Sequence, residues 1–152
     1  GCSHVQVSSS SPIPSIEKAG SISLYALDNY TDTPRAGMRA ANIAEGVMLA
    51  RGYRVNNKID TVADASGHTL SQKLQEAKKS GDKYILTGGV SEWRYKTGID
   101  GEPAVSLHLK FIDVDSGEVA WSTTGSDSSW GNTSIGVVAQ ELITSMLFSA
   151  EN

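Results

Sequence analysis

The sequence predicts a single α+β domain over residues 19–152, in which helices pack on one β-sheet in the order β-α-β-α-β-β-β-α. Two kinds of periodicity support this prediction. Some segments alternate apolar and polar residues, as half-buried strands do, and others repeat apolar residues every three or four positions, as amphipathic helices do. The chain has 152 residues, of which 39% are hydrophobic and 20% charged. This size and balance are typical of one folded domain.

The first half of the domain begins with a strand and a helix. Residues 21–27 alternate as a strand, with an apolar side chain at every second position. A helix is expected over 34–51, because proline suits its first position and an apolar stripe follows, with Thr33 or Asp32 as the N-cap. Gly52 comes next, where a helix end favours a residue in the left-handed conformation.

A shorter strand and a second helix follow. The strand is expected over 53–55 and the helix over 70–79, where the apolar face is thin. Thr69 precedes this helix as a possible N-cap, and Gly81 closes it.

The second half is expected to form three strands and a closing helix. The strands are expected at 84–96, 105–111 and 119–124, and the helix at 135–146. Gly88 and Gly89 predict either a bulge or the close approach of another backbone in the first of these strands. An Asp-Gly pair at 100–101 predicts a hairpin tip between the first two strands, and 115–117 predicts the next turn.

The N-terminal segment, residues 1–18, is expected to be a tether outside the core. A serine tract followed by two prolines occupies 8–14, and such a composition does not pack a core. Cys2 is the only cysteine of the chain, and it follows Gly1. We interpret the pair as the remnant of a bacterial lipoprotein signal, with Cys2 as the lipidated residue; the alternatives are a cloning remnant or an inert buried thiol. Ser3 takes the place of the aspartate that favours inner-membrane retention, so the outer membrane, facing the periplasm, is the expected location.

Composition argues against several classes of function. The net charge of −4 disfavours a nucleic-acid binder, and one cysteine with three scattered histidines disfavours a metal centre. No stretch approaches the roughly 18 apolar residues that a membrane-spanning helix needs. The phosphate-binding and nucleophile motifs of common enzymes are absent, so neither a cofactor nor an enzymatic activity is expected.

Two segments resemble catalytic or metal sites, and both are better explained otherwise. His108 lies on the polar side of a predicted strand, and no spacing supports a catalytic carboxylate and serine beside it. It is expected to face solvent or an interface. The segment 113–117 resembles a calcium loop, but its glycine comes one place early and Thr124 stands where the loop requires glutamate, so a plain turn is expected.

A tryptophan and two acidic residues lie in predicted loops, and each of them has a possible role in binding as well as in folding. Trp130 lies in a polar loop before the last helix, where it either folds back on that helix as a hydrophobic staple or contacts a membrane or a partner. Asp100 and Glu102 lie in the predicted hairpin tip, where acidic residues are usually only solvated. Their fields would add, however, if several copies of the chain surrounded one opening.

Two stretches of the sequence resemble one known family. These stretches are 85–105, which reads ILTGGVSEWRYKTGIDGEPAV, and 119–122, which reads VAWS, followed by Trp130 and Gly131. They are similar to PelC, the family of outer-membrane lipoproteins of the Pel exopolysaccharide export system, and Cys2 stands where that family is lipidated. The element order also resembles the wider group of periplasmic lipoproteins with a fold like the TolB N-terminal domain and the curli secretion lipoprotein.

The resemblance implies a function without catalysis. It implies a ring of twelve subunits, lipid-anchored on the periplasmic face of the outer membrane, that assists the export of a cationic polysaccharide through the porin PelB. By the same resemblance Trp130 contacts the membrane and Asp100 lines the pore. We add Glu102 to this acidic, funnel-like surface on its position alone. A ring needs two different faces on each subunit, and the strand surfaces near Trp93 and Tyr95 are expected to supply one of them.

An alternative uses the same fold without a ring. The chain could be a monomeric regulatory lipoprotein that binds a peptidoglycan synthase. Such a protein needs a long tether, whereas about fifteen residues extend only about 50 Å. A protein that works close to its own membrane is therefore favoured.

Overall fold

The segments of alternating hydrophobicity pair into one mixed sheet in the computed structural model, which describes residues 3–9, 20–59, 69–95, 101–129 and 133–148. The strands are β1 (Ser3–Ser9), β2 (Ser21–Leu24), β3 (Asp28–Asn29), β4 (Arg54–Asn57), β5 (Tyr84–Tyr95), β6 (Pro103–Asp113) and β7 (Val119–Ser129). The helices are α1 (Ala36–Ala50), α2 (Leu70–Ser80) and α3 (Ile135–Phe148). The predicted α+β class, with helices packed on a single sheet, is confirmed.

The sheet has an antiparallel half and a parallel half. Its strand order is β1-β7-β6-β5-β2-β4, and the short β3 pairs with β5 beyond the end of β2. Pairing is antiparallel from β1 to β5, and a short turn at 114–118 joins β6 to β7. It is parallel where the crossovers through α1 and α2 return the chain in the same direction.

Helices α1 and α3 cover one face of the sheet and form the main core. The four apolar side chains that alternate along β6 all point into this core, where each is almost fully buried: Val105, Leu107, Leu109 and Phe111. Trp93 joins them from β5 and is only 2% exposed. Near this end of β5 the Trp93 indole therefore lies in the main core, whereas Tyr95 is 53% exposed, so only Tyr95 of the two could belong to the predicted contact surface.

Helix α2 covers only part of the opposite face. Its Ala77 packs with Tyr25, Ile85, Ile112 and Val114 in a second, smaller cluster. Farther along β5, β6 and β7, the same side of the sheet carries Thr87, Gly89, Ser106, His108, Lys110, Thr124 and Ser126, and we call this surface the open face. Because Ser106, His108 and Lys110 keep intermediate exposure, this face remains accessible in the described part of the chain.

The ends of α2 match the prediction, whereas the start of α1 does not. Thr69 and Gln72 form a reciprocal capping box, and Gly81 ends α2 in the left-handed conformation. Helix α1 begins at Ala36 without a side-chain cap. Thr33, one of the two predicted caps, instead donates its hydroxyl hydrogen to the carbonyl oxygen of Trp93 at 2.5 Å. The loop before α1 therefore provides a hydrogen-bond donor for a backbone carbonyl group of β5. The Thr33 hydroxyl makes this tertiary contact instead of capping the helix.

Strand β1 differs most from expectation, because Ser3–Ser9 lies within the segment predicted as a tether. It pairs antiparallel with β7 over all seven residues, and Val7 packs against the main core. The tether prediction is therefore wrong for these residues. A short alternation of polar and apolar residues, His-Val-Gln-Val, precedes the serine tract and was not recognised as a strand. An edge strand forms hydrogen bonds with only one neighbouring strand, here β7.

The paired glycines of β5 allow a close approach of the next strand. At Gly88, with φ of 153°, an added Cβ would overlap the carbonyl oxygen of His108. The bulge itself falls at Ser91, where the register of β5 and β6 shifts. Of the two alternatives that the sequence left open for these glycines, the close backbone approach is the one observed.

Candidate functional site

The chain segments next to the predicted site residues Cys2, Asp100, Glu102 and Trp130 meet at one end of the sheet. Ser3 pairs with Ser129 at this end, and Ser128 pairs with Ala104. We call it the hairpin end, because β5 and β6 also end and begin here, with Tyr95 opposite Pro103. Register alone therefore brings together three chain segments that are distant in sequence.

Three of the predicted site residues lie outside the described residues: Cys2, Asp100 and Trp130. Each is nevertheless close in sequence to the hairpin end. Cys2 is bonded to Ser3 and Trp130 to Ser129, and Asp100 precedes the described Gly101.

Glu102 is the predicted site residue that the structure does describe. It immediately precedes β6 and is partly exposed. In the described part of the chain its carboxylate forms no ion pair. Glu92, the neighbouring acidic residue of β5, differs because its Oε2 lies 3.0 Å from Nε of Arg94 and its Oε1 accepts a hydrogen bond from Ser106. Glu102 therefore contributes a negative charge at the hairpin end that no described residue pairs with.

The N-terminus of α3 is held at the same end. The backbone N–H of Ile135, the first residue of the helix, donates to the hydroxyl oxygen of Tyr95 at 3.1 Å. Thr133 accepts a hydrogen bond from Ser129, at the end of β7. These two contacts connect the start of α3 to β5 and β7 at the hairpin end.

A shallow polar groove runs along the open face. Its volume is about 480 Å³, and hydroxyl and imidazole groups make up most of its lining: Ser91, Ser106, His108, Thr124 and Ser126. The groove is polar because strands β6 and β7 place serine, threonine and histidine opposite their core-facing residues. Its chemistry suits a hydrophilic partner rather than an apolar ligand.

His108 lies at the edge of this groove in a partly buried position. Desolvation by burial, followed by the nearby charge of Lys110, lowers the pKa of His108, while Asp28 opposes the shift. Tyr30 and His108 both lie against Gly89, where an added Cβ would come within 2.7 Å of each ring. Within the described ranges, no group of three or more histidine, cysteine or acidic residues could hold a metal ion.

Sequence analysis missed Lys73, the charged side chain that is most deeply buried beside the open face. It belongs to α2 and is 7% exposed, with Nζ 5.2 Å from the centre of the Tyr25 ring. Burial lowers the pKa of Lys73. A signal was present, because Lys73 precedes Ala77 by four residues, which places both on one face of the helix.

The fold is one that bacterial lipoproteins share. Lipoprotein GNA1162 from Neisseria meningitidis matches with a TM-score of 0.62 at 19% identity, over 88% of this chain and 99% of that one. The LpoB C-terminal domain from Salmonella enterica matches with a TM-score of 0.54 at 18% identity, over 73% and 84%. At these identities the likeness defines the class of fold alone.

A third comparison defines the family. The PelC dodecamer from Paraburkholderia phytofirmans matches with a TM-score of 0.81 and 34% identity, over 95% of this chain and 95% of that chain. The chain therefore belongs to the PelC family. No protein-family model and no curated protein sequence matches it.

The helices do not suggest a membrane span. In the described part of the chain, none combines the length and the hydrophobicity that crossing a bilayer requires.

Proposed function

We propose that the chain is a structural subunit of a ring that assists the export of a cationic exopolysaccharide. In this proposal twelve copies, each lipidated at Cys2, lie on the periplasmic face of the outer membrane and serve the porin PelB. The observation that carries the proposal is the 34% identity to a PelC dodecamer over 95% of both chains. The proposed role is to guide the polymer and involves no catalysis.

The hairpin end supports a common location for the anchor, the tryptophan and the acidic tip. Ser3, Ser129 and Ala104 belong to neighbouring strands and lie at one end of the sheet. Lipid on Cys2 and contact through Trp130 would then act on the same part of each subunit. Because Ser3 already belongs to β1, the lipid would hold the domain close to the membrane surface.

Repetition in a ring gives weak contacts collective strength. One lipid chain binds a membrane only marginally, but twelve anchors and twelve tryptophans bind together with high avidity. The same repetition multiplies the negative charge of Asp100 and Glu102 around one opening. A cleft lined by one sign of charge concentrates ligands of the other sign, here a cationic polymer.

The oligomeric state tests this proposal. The chain carrying Cys2, extracted from outer membranes in detergent, is expected to show by light scattering a protein mass near twelve times the 16.1 kDa of one chain. A mass of one chain would contradict the ring and favour the monomeric regulatory lipoprotein. For that alternative the likeness to LpoB, at 18% identity, supports the fold alone.

A further inference from the structure

Lys73 is a buried cation whose amino group has few partners. Its Nζ lies 3.5 Å from the hydroxyl oxygen of Thr87, at the limit of a hydrogen bond, and faces the ring of Tyr25. In the described part of the chain no carboxylate lies within ion-pair distance of it. Buried lysines are normally paired, because an ammonium loses its hydration shell on burial. The residue therefore requires an explanation beyond packing.

Two further nitrogen-bearing side chains face the same part of the open face. Lys110 pairs directly with Thr87 across β5 and β6, and His108 pairs with Gly89 two positions along. Side chains of directly paired residues are about 5 Å apart at Cβ, so Lys110 is a neighbour of Thr87, the hydrogen-bond partner of Lys73. Across the described residues, the side chains of Lys110 and His108 form no hydrogen bond and no ion pair.

The acidic groups beside this cluster form no ion pair with it in the described part of the chain. Asp28 of β3 acts on Lys73 and His108 through its charge, which partly offsets the lowering of both pKa values by burial. It forms no ion pair with them, and its Oδ2 lies 3.4 Å from the hydroxyl of Tyr30. Glu76, also on α2, accepts a hydrogen bond from the hydroxyl of Tyr25. In the described part of the chain, neither carboxylate forms an ion pair with Lys73, Lys110 or His108.

We propose that Lys73, Lys110 and His108 form a binding site for an oxyanion of the phosphate class on the open face. Lysine ammonium groups bind phosphate as point charges, and the Thr87 hydroxyl and a protonated His108 add directional donors. Gly89 leaves the backbone beside His108 without a side chain. This ligand has the opposite charge to the polymer proposed for the hairpin end, so the site does not depend on the proposed ring function.

The phosphate could be a free anion or part of a phospholipid headgroup. Both sources present a tetrahedral phosphate group to the cluster, as a monoanionic diester in the headgroup and as a mono- or dianion in inorganic phosphate. Inorganic phosphate and glycerophosphoglycerol, the soluble headgroup of phosphatidylglycerol, distinguish them. Tighter binding of the second compound identifies a lipid source, and tighter binding of the first identifies a free anion.

NMR of His108 tests the site in the intact chain. Inorganic phosphate is titrated at constant ionic strength, with chloride as the balancing anion, and a His108→Gln variant assigns the imidazole signal. The expected result is a saturable shift towards the protonated form of His108, because a bound anion raises its pKa, together with a higher Tm. The Lys110→Gln variant should weaken phosphate binding about tenfold or more, the effect of removing one charged partner.

A matched control and a second variant keep the test decisive. Lys79→Gln removes an exposed charge from the last turn of α2 and should leave phosphate binding unchanged. Lys73→Met should abolish binding. If the Lys73→Met variant fails to fold, phosphate binding by Lys110→Gln decides whether the site exists. An equal response to phosphate and chloride, or undiminished binding by Lys110→Gln, would overturn the site by showing general screening only.

Discussion

Gly88 shows how one residue sets the spacing of two long strands. The carbonyl oxygen of His108 occupies the position that a Cβ at Gly88 would take, and the φ of 153° is one that other residues rarely adopt. The close pairing of β5 with β6 therefore depends on the absence of a side chain. Since β6 carries the groove and His108, this spacing also shapes the open face.

Replacing Gly88 with alanine is expected to destabilise the domain by about 1–3 kcal/mol, because the methyl group forces the two backbones apart. Urea denaturation followed by circular dichroism measures the change. Gly46→Ala is the matched control, because an added Cβ there meets nothing within 4 Å on an exposed part of α1. This control should gain about 1 kcal/mol. Equal stability of the Gly88→Ala variant and the parent would show that the strands adjust without cost.

Single residues also mark the limit of sequence analysis. Lys73 lies at a helical spacing that suits a core residue, yet its charge made it look like a surface position. Asp82 is likewise buried, where it accepts hydrogen bonds from Ser21 at 2.6 Å and Ser23 at 2.5 Å. These partners are about sixty residues away in sequence, so no local pattern could have identified them.

Among the elements, α2 is the one whose ends follow from local sequence. Its capping box needs only Thr69 and Gln72, three residues apart, and its C-terminus needs only Gly81. Both hydrogen bonds lie at the exposed side of the domain, away from the core. The stability of this helix end should therefore respond to the cap alone.

Thr69→Ala is expected to lower the free energy of unfolding by about 1 kcal/mol, because the N–H of Gln72 loses its acceptor. Thermal unfolding compares it with Ser71→Ala, an exposed position in the same turn where no cap is lost. That control should be neutral or slightly stabilising, since alanine favours helix. If both variants melt alike, the cap does not contribute to stability.

Strand β1 shows the opposite behaviour to α2. Its residues lack the composition of a strong strand, and pairing with β7 provides most of its structure. The consequence for the proposed function is direct. With Ser3 paired to Ser129, the proposed lipid on Cys2 would hold the hairpin end itself, rather than the end of a long tether.

At the scale of the whole molecule, the proposed ring would bring the negative charges of many subunits together around one opening. A net charge of −4 per chain is modest, but the carboxylates of one hairpin tip would be repeated in every subunit. Cationic polymer would then be attracted to the opening, while the open face of each subunit carries the proposed phosphate site. The two surfaces therefore predict different ligands.

Neutralising the hairpin tip with Asp100→Asn and Glu102→Gln is expected to reduce secreted polymer about tenfold, because the opening no longer concentrates the cation. Polymer released by cells is measured beside the ring mass, which should stay unchanged. Asp115→Asn with Glu118→Gln removes the same charge from the turn between β6 and β7, and should have little effect. Unchanged secretion in the hairpin variant would contradict the acidic funnel.

The sequence by itself determined the α+β class, the helices, the three long strands and the family, because these depend on periodicity, capping residues and continuous stretches of similarity. Only the tertiary structure decided that β1 belongs to the sheet, that Trp93 is buried, and that Ser3, Ala104 and Ser129 meet at one end. It also placed Lys73 and Lys110 around Thr87. The physical reason is that strand pairing and burial join residues far apart in the chain, whereas local patterns report only on neighbours within a few turns.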